Sequence, residues 1–465
     1  MIAGTNRLSH SFRTKHYPSS GFIFIECPGS LLYLKKNSKT IIMRNLILSL
    51  SLSLTFATLH AGDWPQFRGP NRDGVSTEKG LLDKWPEGGP KLLWKTTGLG
   101  AGYSSVSVAD KTIYTIGDLE NDCFLFALNA EGKLLWKGRV GEPKGHRGYP
   151  GPRSTPTVTE NSVYCLGQHG DLVCFSRACP IAEVKEGCAD CHGQKEKKPT
   201  WQVNLEKDFG GKMMSGWKWS ESPLVDGNQV VITPGGSKGA VVALNAETGK
   251  EIWRCKEFTD TASYSSLITR EFGGVRQYIQ VSGKSVVGVE AKSGKLLWQA
   301  ARSGKTAVVS TPLFSDGNLF VTSSYGVGCN GFEVSGSGGN FKAKQTYANK
   351  SISNHHGGCI RVGDYVYGAS GSVLVCLNLK TGKEMWKERS AGKGAIVVID
   401  NKIILRAESK GTISMVELNP KEYKEISRFD QPERTRKRAW AHPVVSDGVL
   451  YIRDQGLLLA YNLRK

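Results

Sequence analysis

The sequence predicts an all-β protein, an eight-bladed β-propeller, and three observations carry this. A unit of roughly 40–45 residues recurs. It is clearest in residues 222–253 (SPLVDGNQVVITPGG…VVALNAETGKEIW) and 357–386 (GGCIRVGDYVYGAS…LVCLNLKTGKEMW), and residues 265–298 and 103–136 follow the same plan. Each unit closes on an aromatic residue, giving eight marks: Trp94, Trp136, Trp201, Trp253, Trp298, Tyr347, Trp386 and Phe429. Glycine makes up 55 of 465 residues, which suits many tight turns and few long helices.

Each unit reads as four short strands. The first follows Ser/Thr-Pro or Ser-Ser, an Asp/Asn/Gly turn leads to the second, the third ends in Leu-Asn, and a Gly-Lys turn leads into the strand bearing the aromatic. Runs of four to seven residues rich in Val, Ile, Leu and Tyr, bounded by such turns, are antiparallel strands. After Phe429 three more strands follow in residues 441–463 with no closing aromatic. Residues 91–96 (KLLWKT) have the aromatic and no strands before it. Pairing the two halves makes the eighth blade, joins the chain ends and leaves no exposed edge in the ring; seven blades with loose ends is the alternative. Trp94, Trp136, Trp253, Trp298 and Trp386 are assigned to the core between blades.

Ahead of the ring, residues 46–59 (LILSLSLSLTFATL) follow Met43-Arg44-Asn45, and the stretch ends in Leu59-His60-Ala61. This resembles the apolar region and cleavage site of a secretory signal, with Ala61 the last residue removed and Met43 the expected start. The expected organisation is residues 1–61 as extension and signal peptide, 62–90 as a lead-in, and 91–465 as the propeller, with a Cys-rich insertion at 176–200. The expected location is periplasmic or secreted. No apolar run reaches the roughly 18–20 residues of a membrane span, so none is expected. The formal charge is +19, from 61 Lys+Arg and 42 Asp+Glu; residues 1–61 carry seven basic residues and one acid, leaving +13. The one dense basic run, residues 434–438 (RTRKR), lacks interleaved aromatics, so nucleic acid is not an expected partner.

The segments LNAETGKEIW, LNLKTGKEMW and EAKSGKLLW resemble the repeats of pyrroloquinoline-quinone (PQQ)-like eight-bladed propellers. That superfamily includes quinoprotein alcohol dehydrogenases and the outer-membrane assembly lipoprotein of Gram-negative bacteria. DWPQFRGPNRDG (63–74), YSS (264–266) and NHHGG (354–358) look more narrowly like the secreted PQQ-like repeat proteins of planctomycete-type bacteria. The resemblance covers residues 63–465 and implies the fold; one fold hosts many activities. Quinoprotein dehydrogenases carry two adjacent cysteines against the quinone and extra loops around cofactor and calcium. This chain has no adjacent cysteines and little length beyond eight blades, so PQQ and calcium are not expected.

In a propeller, the residues leading into each innermost strand line the channel mouth. Small Ser/Thr is the background there, and Arg153, Glu221, His355, His356, Lys393 and His442 depart from it. Together these groups could hold an anionic or polyhydroxyl ligand through charge-assisted hydrogen bonds, or pair with one another around a solvated funnel. No metal site is assigned. Adjacent strand residues point to opposite faces, so His355-His356 is a poor chelate unless the backbone is irregular and a further ligand, such as Glu221 or His442, comes from across the ring. No catalytic residue is assigned.

The insertion contains Cys188-Ala189-Asp190-Cys191-His192, the C-x-x-C-H spacing of haem c attachment, with Met213 or Met214 as a sixth ligand. An oxidised loop bridging Cys179 to Cys188 or Cys191, and a zinc-like cluster of Cys179, Cys188, Cys191 and His192, are the alternatives. Cys165 and Cys174 flank a turn and would bridge if the register set them opposite. The leading functional expectation is a binding or scaffold protein, taking a partner protein or a small polar ligand at the channel mouth. A quinoprotein-type oxidoreductase and an outer-membrane assembly factor are the alternatives.

Overall fold

A computed structural model describes residues 62–178 and 196–465, together with the backbone of two strands, Phe22–Cys27 and Ser30–Lys35. Those two strands pair antiparallel within a unit of their own, Met1–Thr58. The signal-peptide expectation and the Cys188, Cys191 and His192 motif lie outside the described residues. Among the described residues every regular element is a strand, and no helix is long and apolar enough to cross a membrane.

The unit Leu59–Lys465 holds eight antiparallel sheets arranged as the eight blades of a propeller. Blade one runs through Ser107–Ala109, Thr112–Leu119, Asp122–Leu128 and Leu134–Gly141; blade two through Thr157–Val158, Ser162–Leu166, Asp171–Ser176 and Trp201–Asn204. Blades three to seven begin at Leu224, Ile268, Leu313, Cys359 and Gly394. Blade eight joins Val444–Ser446, Val449–Asp454 and Leu457–Asn462 to the N-terminal strand Leu92–Thr96, which pairs antiparallel with Leu457–Asn462. The ring closes as the split of the repeat predicts.

The rim shows why the repeat reads as it does. The closing aromatic of one blade donates a hydrogen bond to a turn carbonyl of the next. Trp94 Nε1 donates to Ala130 (2.8 Å), Trp201 to Ala246 (2.9 Å), Trp253 to Ala291 (3.1 Å), Tyr347 Oη to Leu379 (2.8 Å) and Trp386 to Asn419 (2.8 Å). The ring then lies on the turn glycine of that blade. Gly249 and Gly294, at φ 69° and 76°, leave no room for a Cβ under Trp201 and Trp253. The left-handed backbone and the close approach both require glycine. Burying such a ring stabilises the ring of blades by roughly 4 kcal/mol at about 25 cal/mol per Å².

Across the sheet, the residue opposite each of seven closing aromatics is small: Ala127, Cys174, Ala243, Gly288, Gly331, Cys376 and Ala460. Cys174 and Cys376 are therefore packing partners of Trp201 and Trp386. The register sets Cys165 opposite Val173 and Cys174 opposite Tyr164, so the two thiols face different inter-blade cores and stay free. This corrects the expectation that they could bridge.

Buried arginines tie the seams. Arg453 of blade eight donates to the carbonyls of Leu99, Ser104 and Ile116 (3.2, 3.3 and 2.6 Å) beside blade one. Arg406 of blade seven reaches the carbonyls of Ala441 and Arg453 (3.0 and 2.6 Å). Burial lowers the pKa of each guanidinium to about 10, so both remain cations.

The lead-in crosses the ring. Trp64 bridges Val108 of blade one, Val75 bridges Val398 of blade seven, and Val158 of blade two donates to the Pro65 carbonyl (2.7 Å). Between these points Arg72 donates to the carbonyls of Ser222 and Pro223 before blade three (2.8 and 2.9 Å), and Arg68 to that of Cys359 in blade six. The DWPQFRGPNRDG segment is thus a plug laid across the central channel. The tail of the blade-two insertion, Glu196–Lys197, adds a parallel strand to the outer edge of blade one, with Lys197 Nζ 4.7 Å above the Trp136 ring.

Candidate functional site: an aromatic cavity at the channel mouth

Serines and threonines leading into the innermost strands form a belt from blade to blade. Ser105 Oγ donates to the His442 carbonyl (2.6 Å), Ser105 N–H to Thr155 Oγ1 (3.2 Å) and Thr155 N–H to Ser222 Oγ (2.9 Å). Ser222 N–H donates to Ser266 Oγ (3.0 Å), Ser265 Oγ to the Ser310 carbonyl (3.1 Å) and Ser310 Oγ to Asn354 Oδ1 (2.8 Å). The small polar background at these positions is a structural device, since it satisfies buried backbone groups where eight chains converge.

Above this belt lies a cavity of about 160 Å³, with Phe67 of the plug on its lining. Six further large aromatics wall it: Tyr103, Tyr149, Trp217, Tyr264, Tyr325 and Trp440. Trp440 is central, with ring centroids of His356, Tyr103 and Tyr149 at 4.2, 4.7 and 4.9 Å.

Arg153 is the cation of this wall. Its guanidinium donates to the carbonyls of Tyr149 (2.7 Å) and Trp217 (3.2 Å) and sits 5.6 Å from the Tyr103 ring centroid. Among the described residues it makes no ion pair with a carboxylate, and burial lowers its pKa.

His355 and His356 also line the cavity. The chain at 352–358 is irregular rather than a strand, so consecutive side chains need not alternate. Asn354 Nδ2 pins the loop by donating to the carbonyls of Gly358 (3.1 Å) and Ala369 (3.0 Å). A Cβ on Gly357 would overlap the Gly394 carbonyl, and one on Gly358 (φ 68°) would overlap Arg68. Each residue of NHHGG thus has a defined place.

The two imidazoles turn their Nδ1 atoms toward each other (2.8 Å) and toward Glu408, whose Oε2 is 3.0 Å from His355 Nδ1 and 3.9 Å from His356 Nδ1. Lys393 Nζ pairs with the other oxygen, Oε1, at 3.0 Å. His355 Nε2 meets the Tyr325 hydroxyl at 3.0 Å. Burial pushes the Glu408 carboxyl up, but hydrogen bonds from His355, His356 and Lys393 outweigh it and hold the group below the usual carboxylate range. His356 is lowered to about 4, chiefly by burial, so it is neutral near pH 7. His442 is lowered to about 3, by burial and then by the Arg68 charge. Its Nε2 meets the His356 carbonyl (2.9 Å) and its ring packs 5.0 Å from Phe67.

The sequence-predicted residues therefore separate. Arg153, His355, His356 and His442 line the cavity, and Lys393 stands beside it through Glu408. Glu221 does not reach the cavity; its neighbour Ser220 does, and adjacent residues of an extended chain face opposite ways. The Glu221 carboxylate is buried in the blade, accepting from Thr233 N–H (2.8 Å), Thr233 Oγ1 (3.1 Å) and Gln280 Nε2 (3.1 Å), with burial raising its pKa to about 8. Met213 and Met214 pack against apolar clusters. Glu408 and Tyr325 escaped the sequence reading because they follow second strands, Lys402–Ala407 and Asn318–Ser323, rather than precede first ones. The available signal was a glutamate directly after the buried run IILRA.

Residues 191–388 match the family model described as outer membrane protein assembly factor BamB. The BamB of Burkholderia pseudomallei is 27% identical over 191 residues, covering 40% of this chain and 46% of that protein. The chain spans about half the length of the curated relatives it matches first. Among solved structures, quinohemoprotein alcohol dehydrogenase from Comamonas testosteroni superposes with a TM-score of 0.58 at 11% identity, covering 89% of this chain and 82% of that one. BamB from Moraxella catarrhalis superposes with 0.54 at 13% identity, covering 80% and 97%. At these identities the structural likeness shows the fold alone.

A PQQ–calcium pair, the cofactor set that the resemblance to quinoprotein repeats implies, asks for hard oxygen ligands beside the quinone. Among the described residues the cavity wall offers an arginine, histidines, hydroxyls and aromatic rings, and no aspartate or glutamate; the Glu408 carboxylate beside it is grouped with two imidazole nitrogens and not with further hard oxygens. These residues do not fit that pair.

Proposed function

We propose, from an eight-bladed propeller whose repeats are similar to those of BamB, that this chain is an exported binding protein. Its cavity takes a small, flat, anionic ligand. The observation that carries this reading is Arg153: a part-buried guanidinium on the cavity lining with no carboxylate partner among the described residues, set in a wall of aromatic rings. A ligand carboxylate, phosphate or sulfonate supplies the missing charge through a forked hydrogen bond. A flat body then stacks against Trp440 and its tyrosine neighbours, each contact adding about 1 kcal/mol. A cavity of about 160 Å³ suits a single ring or a ring-sized acid better than a peptide chain.

The test is quenching of tryptophan fluorescence by benzoate, benzamide and inorganic phosphate. The expected order has benzoate tightest, because it offers both charge and ring. Equal affinity for benzoate and neutral benzamide would refute the reading.

A further inference from the structure

We propose that His355, His356 and Glu408 form a three-ligand site for a divalent first-row metal, Zn²⁺ by ligand type, with an open position toward the cavity. It does not depend on Arg153 or on the anion reading above.

Three atoms that carry lone pairs converge: Nδ1 of His355, Nδ1 of His356 and Oε2 of Glu408, separated by 2.8, 3.0 and 3.9 Å. Two imidazole nitrogens 2.8 Å apart cannot both carry a proton, so at least one of them presents a lone pair to the centre of the group, beside the lone pairs of the carboxylate oxygen. One cation at their centre satisfies all three. With metal–ligand distances of about 2.0–2.1 Å, tetrahedral ligand atoms stand roughly 3.3 Å apart, and the three separations straddle that value.

The surrounding contacts are those a ligand set needs. Tyr325 Oη sits on the far nitrogen of His355 at 3.0 Å, where it can accept the Nε2 proton of the tautomer that leaves Nδ1 free to bind a metal. Lys393 holds the far oxygen of Glu408 at 3.0 Å, leaving Oε2 to point inward. His442 Nε2 holds the His356 carbonyl at 2.9 Å. The irregular, glycine-flanked loop lets two successive histidines present the same nitrogen to one point. Two histidines and one carboxylate with an open face is the donor set of catalytic zinc and non-haem iron sites.

The experiment titrates Co²⁺ alone into the full chain and follows visible absorption together with stoichiometry by calorimetry. The expected result is one equivalent bound with a ligand-field spectrum of nitrogen and oxygen donors. His356→Ala and Glu408→Gln should each weaken it at least tenfold. Lys393→Met removes the ammonium that lies 3.0 Å from Glu408 Oε1 and 3.4 Å from His355 Nδ1; as the loss of a positioning contact and not of a ligand, it should shift affinity by less than that. Absence of binding would overturn the site. So would a spectrum showing only thiolate charge transfer, which assigns the ion to cysteines elsewhere, or affinity unchanged in both ligand variants. The wild-type spectrum decides the matter even where a variant fails to fold.

Discussion

The rim of the ring and its mouth are built from the same repeat by opposite rules. At the rim, blade after blade uses one solution: an aromatic ring on the next turn's glycine, a donor to the next turn's carbonyl, and a small residue across the sheet. Where the partner turn is missing, the ring finds a local substitute. Trp298 donates to Gln277 of its own blade (2.8 Å), because blade five carries the long hairpin of Gly328–Ser337 and Asn340–Asn349 in place of the short turn. At the mouth each blade differs, with Arg153 before blade two, the histidine pair before blade six, and Trp440 and His442 before blade eight. Periodicity therefore marks scaffold, and departure from it marks chemistry.

The comparison breaks hardest at the rim. Trp298→Ala removes a buried ring from between two blades and should cost about 3–5 kcal/mol in urea unfolding while leaving ligand affinity at the mouth unchanged. Gly331→Ala is the next test. Its new Cβ would overlap the Tyr347 ring, so a single methyl should cost about 1–3 kcal/mol, read as a lower unfolding midpoint.

Glu221 separates scaffold from site by pH. Its folded pKa, about 8, lies above the ordinary 4.5, so the folded chain holds a proton that the unfolded chain has lost. This contribution is fully present below about pH 4.5 and declines as pH rises toward 8, by at most about 1.4 kcal/mol per pH unit. Melting temperatures should show that fall, and Glu221→Gln should flatten it. A profile equally steep in the variant would mean that other groups set it. The smallest effect belongs to the mouth: Trp440→Phe should weaken benzoate binding by about 1 kcal/mol and shift unfolding by less.

The same contrast explains what could be read from the chain. The blades were legible because each closing aromatic and each turn glycine answers a local steric demand that recurs. The eighth blade was legible because its two halves are each incomplete without the other. Arg153 and the histidines stood out against the serine belt. Glu221 was misplaced since a shift of one residue on an extended chain reverses the side a group faces. Phe67 and the plug were invisible as site components. Their contacts, such as Phe67 against His442, join distant parts of the chain and leave no periodic trace. Glu408 was missed because a mouth is lined by the loops after second strands as well as by those before first strands.

The central claim is that the mouth is a binding site organised around Arg153, the cation on the cavity wall that pairs with no carboxylate among the described residues. The most direct measurement is calorimetric titration of benzoate into the wild-type chain and into Arg153→Gln, with melting temperatures recorded alongside. The account predicts at least tenfold weaker binding in the variant with the melting temperature within a few degrees of wild type. Unchanged benzoate affinity in a folded Arg153→Gln protein would contradict it.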